Sequence, residues 1–250
     1  MRWFRLVLAA ATVAGMLLAA GRLEAEGPLY TPEQKQAIEG IVRDYLLSHP
    51  EIIREAVEVL QQREHQAEID HGKAAIEEHR NELLADATAP VLGNPAGTVT
   101  IVEFFDYRCP YCKQMQPSLT ELLREDGKIR LVMKEFPILG PDSVIASRAA
   151  LAARAQGRYA PLHDALFQMR GTLDEASILR AAGEVGLDVQ RLKRDMALAE
   201  IDGILKRNHD LALALGVNGT PAFVIGDQFV PGALDKGQLK SLIAEARGAH

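Results

Sequence analysis

Only two cysteines occur in the 250 residues, Cys109 and Cys112, so a four-cysteine zinc site is excluded. Positive charge is in deficit: 28 Lys and Arg against 34 Asp and Glu leave a net −6, which removes the basic footprint of a nucleic-acid binder. Aromatic residues make up only 5% of the chain. No low-complexity tract and no internal repeat interrupts it. The longest uncharged apolar run, Leu6 to Gly21, is 16 residues, short of the roughly 20 that a spanning helix needs. What is present is ordinary for a globular protein, 48% apolar and 25% charged residues, at a length that suits one large domain or a domain with an appendage.

That apolar run follows Arg2 and Arg5 and leads into small residues ending at Ala25. The pattern predicts a signal peptide over residues 1–25, cleaved on export, with an uncleaved membrane anchor as the alternative. Export places the chain in the periplasm, where disulfides persist.

Residues 26–88 form a helical appendage. Within it, Thr31 to Asp86 carries 13 acidic residues against six Lys or Arg. Thr31 and Pro32 make a helix start, a capping hydroxyl followed by proline at the first helical position. Ser48-His49-Pro50-Glu51 marks a break and a second start. On the longer helix Ile53, Val57 and Leu60 share a face, and Ile69, Ile76 and Leu83 recur every seven residues, the seam of helices that pair. The chain is therefore expected to self-associate through residues 31–86. The alternative is that this face packs on its own domain. Four of the seven histidines, His49, His65, His71 and His79, fall here. Their spacing lacks the i, i+4 pairing of helical metal ligands and reads as solvated surface.

Residues 89–97, with two prolines and two glycines, read as a linker. Residues 98–250 then read as one α/β domain. "TVTIVEFFDY" is a strand, "CPYCKQMQPSLTELL" a helix, and "IRLVMKEFPIL" a second strand. An Ala- and Leu-rich helical insertion covers about 142–215. "TPAFVIG" and "QFVPGA" are two more strands turning at Gly226-Asp227, and "LDKGQLKSLIAEA" closes as a helix.

A disulfide between Cys109 and Cys112 would close a four-residue loop, too short to constrain an unfolded chain usefully. A Cu(I) clip through the two soft thiolates is chemically reasonable, and a copper-binding protein is the alternative function. Thiol–disulfide exchange suits the position better. Cys109 sits where strand passes into helix, with Pro110 at an early helical position, so its thiolate would meet the free N–H groups and positive end of the helix. Arg108 would add positive field if it points there. Cys112 lies one turn further on, within reach of a mixed disulfide on Cys109. Cys109 is thus the expected nucleophile and Cys112 the resolving thiol.

"VEFFDYRCPYCK", opening a helix kinked by Pro117, together with the insertion and "NGTPAFVIG", resembles the DsbA family of the thioredoxin superfamily over roughly residues 94–246. The resemblance implies a thioredoxin-like fold and a protein disulfide oxidoreductase or isomerase without a bound cofactor. Its substrates would be cysteine-containing exported proteins, and a membrane redox partner would reset the pair. It places a cis bond at Thr220-Pro221 against the cysteines, where the adjacent backbone can pair with a substrate and the Thr220 hydroxyl can approach Cys109. It makes Glu103 a buried acid that relays the proton of the inner thiol, with Lys134 as its partner and Glu135 as the competing inward residue. Tyr111, inside the motif, departs from the histidine of strongly oxidising members. The appendage, "HPEIIREAVEVLQ" included, resembles the N-terminal segment of ScsC-type proteins, linked to copper tolerance, some of which self-associate and act as isomerases.

Overall fold

The computed structural model describes residues 29–248, apart from the side chains of His65 and Glu68; the expected signal peptide lies outside the described residues. The chain divides into two compact units between Gln62 and Arg63. No helix among the described residues is long and apolar enough to cross a membrane.

In the first unit, α1 (Pro32–Ser48) begins at the expected cap. The Gln34 N–H donates to Thr31 Oγ1 at 3.3 Å, and the Thr31 N–H donates to Gln34 Oε1 at 2.9 Å. This reciprocal box satisfies two donors that a helix start otherwise leaves free. The helix stops at His49, and α2 (Glu51–Glu78) restarts after Pro50. α1 buries none of its residues. Ile41, Val42, Tyr45 and Leu47 are exposed, as are Ile53, Val57 and Leu60 at the start of α2.

The second unit takes in the end of α2, then α3 (Arg80–Leu84), β1 (Val91–Gly93), β2 (Val99–Phe105), α4 (Pro110–Glu125) and β3 (Ile129–Glu135). Five helices follow: α5 (Pro141–Ala153), α6 (Tyr159–Gln168), α7 (Glu175–Glu184), α8 (Val189–Met196) and α9 (Ala199–Ala214). The chain then returns to the sheet through β4 (Ala222–Ile225) and β5 (Gln228–Pro231) and ends in α10 (Lys236–Gly248). The strands lie in the order β1-β3-β2-β4-β5. β2 and β3 are parallel, and the other pairings are antiparallel. Except for Thr100 and Arg130, every residue of β2 and β3 is buried, as strands covered on both faces must be. This is a thioredoxin-like mixed α/β fold with a helical insertion.

Strand alternation sorts the core into two layers. Ile101 and Phe105 of β2, with Ile129, Leu131 and Met133 of β3, pack with α4, α5, α6 and α10. Val102, Phe104 and Val132 pack on the opposite side with Ala75, Ile76 and Leu83 and with Leu211 and Ala212 of α9.

Three expectations need correction. The stretch read as a linker holds β1, because Val91 and Leu92 pair with Val132 and Leu131 of β3. The seven-residue seam does not continue past Ile69: Ile76 and Leu83 are buried against the sheet of their own domain. A heptad records only that one helix face is apolar, not which surface covers it. Lys134 is not the partner of Glu103, since the two side chains project from opposite faces of the sheet. Instead its ammonium donates to Asp86 Oδ2 at 2.6 Å.

The Lys134–Asp86 pair ties the segment after α3 to the central sheet. Burial pulls the Asp86 carboxyl upward, but hydrogen bonds from Lys134 and Thr88 outweigh it and hold the group below its usual range. Its stabilising contribution is therefore present above the ordinary carboxylate range and lost as acid protonates it. Asp86→Ala strands a buried ammonium and is expected to cost about 3 kcal/mol. Adding Lys134→Met should recover most of that loss. Urea midpoints of the two variants test both statements.

Candidate functional site

The site forms where β2 passes into α4. Cys109 is the residue before the first helical turn, with extended backbone (φ −67°, ψ 120°), and Pro110 opens the helix without needing a donor partner. The turn is closed by the Cys109 N–H donating to the Asp106 carbonyl at 3.0 Å and the Lys113 N–H donating to the Cys109 carbonyl at 3.1 Å. Both cysteines are buried and neither is in a disulfide. Tyr111 projects into solvent beside them, 61% exposed. Pro117 lies inside α4.

The antiparallel pairing of β4 with β2 sets Ala222 opposite Phe104, which carries the residues before β4 up to the cysteine turn. There the Thr220-Pro221 bond is cis. The Cys109 thiol donates to the Thr220 carbonyl at 3.1 Å, so the contact runs through the backbone rather than the hydroxyl. The Pro221 carbonyl is occupied by the Gly232 N–H at 2.9 Å. The structure thus brings Cys109, Cys112, Thr220 and Pro221 together across a separation of about 110 positions, because β2 and β4 are neighbours in the sheet.

Glu103 is 2% exposed on the sheet face that α4 covers. Burial pushes its carboxyl up to about 8, and its Oε2 has no hydrogen-bond partner among the described residues. Burial raises the Cys112 thiol, and the charge of Glu103 raises it further. This coupling places the acid within electrostatic reach of the inner thiol. An orphaned buried oxygen costs stability, and such a group calls for an explanation such as a role in the chemistry beside it.

Arg108 does not point at Cys109; its Nη1 donates to the Leu139 carbonyl at 2.6 Å. Two further acids complete the neighbourhood: Asp106, which the sequence does not single out, and Glu135, the competing inward residue, which does face the Glu103 side. Asp106 is fully buried and hydrogen-bonds both the cysteine turn and the loop after β3. Asp immediately before a turn is the available signal for it, as a residue that binds nearby backbone N–H groups. Glu135 lies on the same face as Glu103 by strand parity. It accepts from Ser147 Oγ at 2.7 Å, Tyr159 Oη at 2.9 Å and Tyr107 Oη at 3.1 Å. Tyr107 Oη in turn lies 3.0 Å from His163 Nδ1. Burial pushes Glu135 up to about 8 as well. Among the described residues, no group of three or more His, Cys, Asp or Glu is arranged to hold a metal ion.

A Cys-X-X-Cys pair that opens a helix on this sheet, met by a proline before the neighbouring strand, defines a thioredoxin-fold protein of the thiol–disulfide type. Within that class the chain belongs to the DSBA-like thioredoxin domain family, which it matches over residues 100–244. Residues 34–67 match a second family, the copper resistance protein ScsC N-terminal domain. A thioredoxin-like oxidoreductase from Silicibacter pomeroyi is 48% identical, with 68% of this chain and 99% of that one covered at a TM-score of 0.67. A linker-deletion mutant of Proteus mirabilis ScsC is 30% identical, with 90% of this chain and 100% of that one covered at a TM-score of 0.68. Among curated relatives, a Na(+)/H(+) antiporter NhaA 3 from Salinispora tropica is 34% identical over 137 residues, 54% of this chain and 21% of its own length. The chain spans about a quarter or less of the curated relatives that it matches first.

Proposed function

We propose that the protein is a periplasmic thiol–disulfide oxidoreductase that catalyses disulfide exchange (isomerisation, oxidation or both) in exported proteins through Cys109 and Cys112. The observation that carries this reading is the position of Cys109 at the start of α4, in contact with the Thr220 carbonyl, with Cys112 buried behind it and coupled to Glu103. In the oxidising direction a substrate thiolate attacks Cys109 Sγ of the disulfide form. The Cys109–Cys112 bond breaks, and Cys112 leaves as a thiolate and takes a proton, with Glu103 as the nearby acid. A second substrate thiol then displaces Cys109, so that two electrons pass from substrate to the pair. A membrane redox partner would return the pair to the disulfide. Isomerisation is the same first attack run by the Cys109 thiolate on a wrong substrate disulfide, with no net electron transfer.

Turnover of reduced and of scrambled ribonuclease tests this function, with Cys109→Ser as control. A wild type that is inactive in both assays overturns it. The isomerase part draws on self-association, because several sites facing one cleft bind an unfolded substrate multivalently. The exposed Ile41, Val42, Tyr45, Ile53 and Val57 and the match to the ScsC N-terminal domain support assembly through residues 31–62. Sedimentation is expected to give an oligomer at micromolar concentration and a monomer once that segment is deleted. A full-length monomer removes the multivalent mechanism.

A further inference from the structure

We propose that Asp106 is a positioning residue for the step in which Cys112 attacks Cys109: its buried carboxylate locks the turn that holds Cys112 in line with Cys109. The carboxylate accepts four hydrogen bonds. Oδ1 takes the Arg108 N–H at 2.7 Å and the Ser143 hydroxyl at 2.8 Å. Oδ2 takes the N–H groups of Ile138 and Leu139, each at 2.9 Å. One side chain therefore joins the turn before α4, the loop after β3 and the first turn of α5. The Arg108 guanidinium closes the same junction from outside through the Leu139 carbonyl.

The backbone of Asp106 faces the two thiols. Its carbonyl accepts the Cys109 N–H at 3.0 Å, and its N–H lies on the side of the Cys112 sulfur and favours the thiolate there. Any residue offers these backbone groups, but only a side chain anchored at four points holds them still. An asparagine keeps a single acceptor oxygen, so it can satisfy the Arg108–Ser143 side or the 138–139 side but not both, and it turns an N–H₂ towards donors at the other. Alanine satisfies neither.

The step served is attack by Cys112, the reverse of the first oxidising step and the one that frees a substrate trapped on Cys109 during isomerisation. With substrate sulfur bonded to Cys109, the Cys112 thiol gives up its proton and its sulfur attacks Cys109 Sγ. The Cys109–Cys112 bond forms, and the substrate sulfur leaves as a thiolate and is protonated, with two electrons passing to the substrate. In-line geometry is decisive for such a displacement, and small misplacements in a site cost large factors in rate. The first step, attack by Cys109, uses the outer sulfur alone and needs no alignment between Cys109 and Cys112.

This inference rests on the exchange function proposed above, and the two can fail separately. The experiment measures two rates in the full-length chain: alkylation of Cys109 by iodoacetamide, and release of glutathione from a preformed Cys109–glutathione mixed disulfide. In Asp106→Asn, alkylation is expected to stay within about twofold of wild type while glutathione release slows about tenfold. A loss of packing alone would lower the thermal midpoint and leave the ratio of the two rates unchanged. Ser143→Ala removes one of the four donors at a site remote from the sulfurs. It should slow release about two- to threefold, and it carries the test if Asp106→Asn does not fold. Wild-type release in either folded variant, or an equal slowing of both steps, overturns the proposal. If wild-type protein itself fails to release glutathione, the exchange function falls instead.

Discussion

Cys109→Ser should abolish exchange, lowering turnover of a disulfide substrate by about a thousandfold or more, because a serine hydroxyl is neither ionised nor a leaving group at neutral pH. Cys112→Ser should behave differently. Cys109 still attacks, but nothing displaces the substrate, and a mixed disulfide accumulates that is visible on a non-reducing gel and lost with dithiothreitol. The asymmetry follows from the position of the two sulfurs. Cys109 stands at the open end of α4 against the Thr220 carbonyl. Both residues are buried, and the Cys112 thiol is pushed up, first by burial and then by Glu103. A sulfur in that setting resists ionisation until a partner sulfur sits above it, so it cannot substitute as the first nucleophile. Equal trapping by both variants would mean that either thiol can open the reaction, and the assignment of roles would be wrong.

Much of this arrangement is legible in the residues alone. The cap at Thr31, the break at Pro50, the strand into Cys109 and the turn at Gly226 are local features, each written in a few consecutive residues. The neighbourhood of the cysteines is legible only in part. Glu103 can be placed on a face by alternation, and Thr220-Pro221 by resemblance. Lys134 is misassigned because two adjacent residues of a strand point to opposite sides, and the residue nearer in type to a partner, the lysine, is on the wrong one. Asp86, its true partner, lies 48 positions away on a segment that looks like the edge of a linker. β1 escapes a sequence reading for a related reason. Three residues carry no periodicity, and their pairing is set by the exposed edge of β3. Ile76 and Leu83 show the limit of a heptad: spacing marks an apolar face, and the tertiary structure decides whether sheet or second chain covers it.

Glu103→Gln is expected to make the protein more stable above neutral pH and slower in exchange. The carboxyl is buried without an ion-pair partner, and burial raises it from an ordinary 4.5 to about 8. A carboxyl raised in the folded state gives its full stability below the unfolded value and loses it as pH climbs towards the folded one. Between pH 4.5 and 8 the wild type should therefore lose about 5 kcal/mol through this one group, at about 1.4 kcal/mol per pH unit. Glutamine does not titrate, so its urea midpoint should escape that fall. Glu135, also raised to about 8, imposes its own decline on both proteins and cancels in the comparison. Activity should move the opposite way. Above about pH 8 the ionised carboxylate can take the proton of Cys112, and removing a positioned base costs roughly a hundredfold or more. The rise in glutathione release near pH 8 should disappear in Glu103→Gln, whereas Asp106→Asn should keep that rise at a lower rate. A variant that is both less stable at about pH 8 and unaltered in its pH profile would show that Glu103 fills space and does no chemistry. Gain in one property against loss in the other is the signature of an acid kept buried for the thiol beside it.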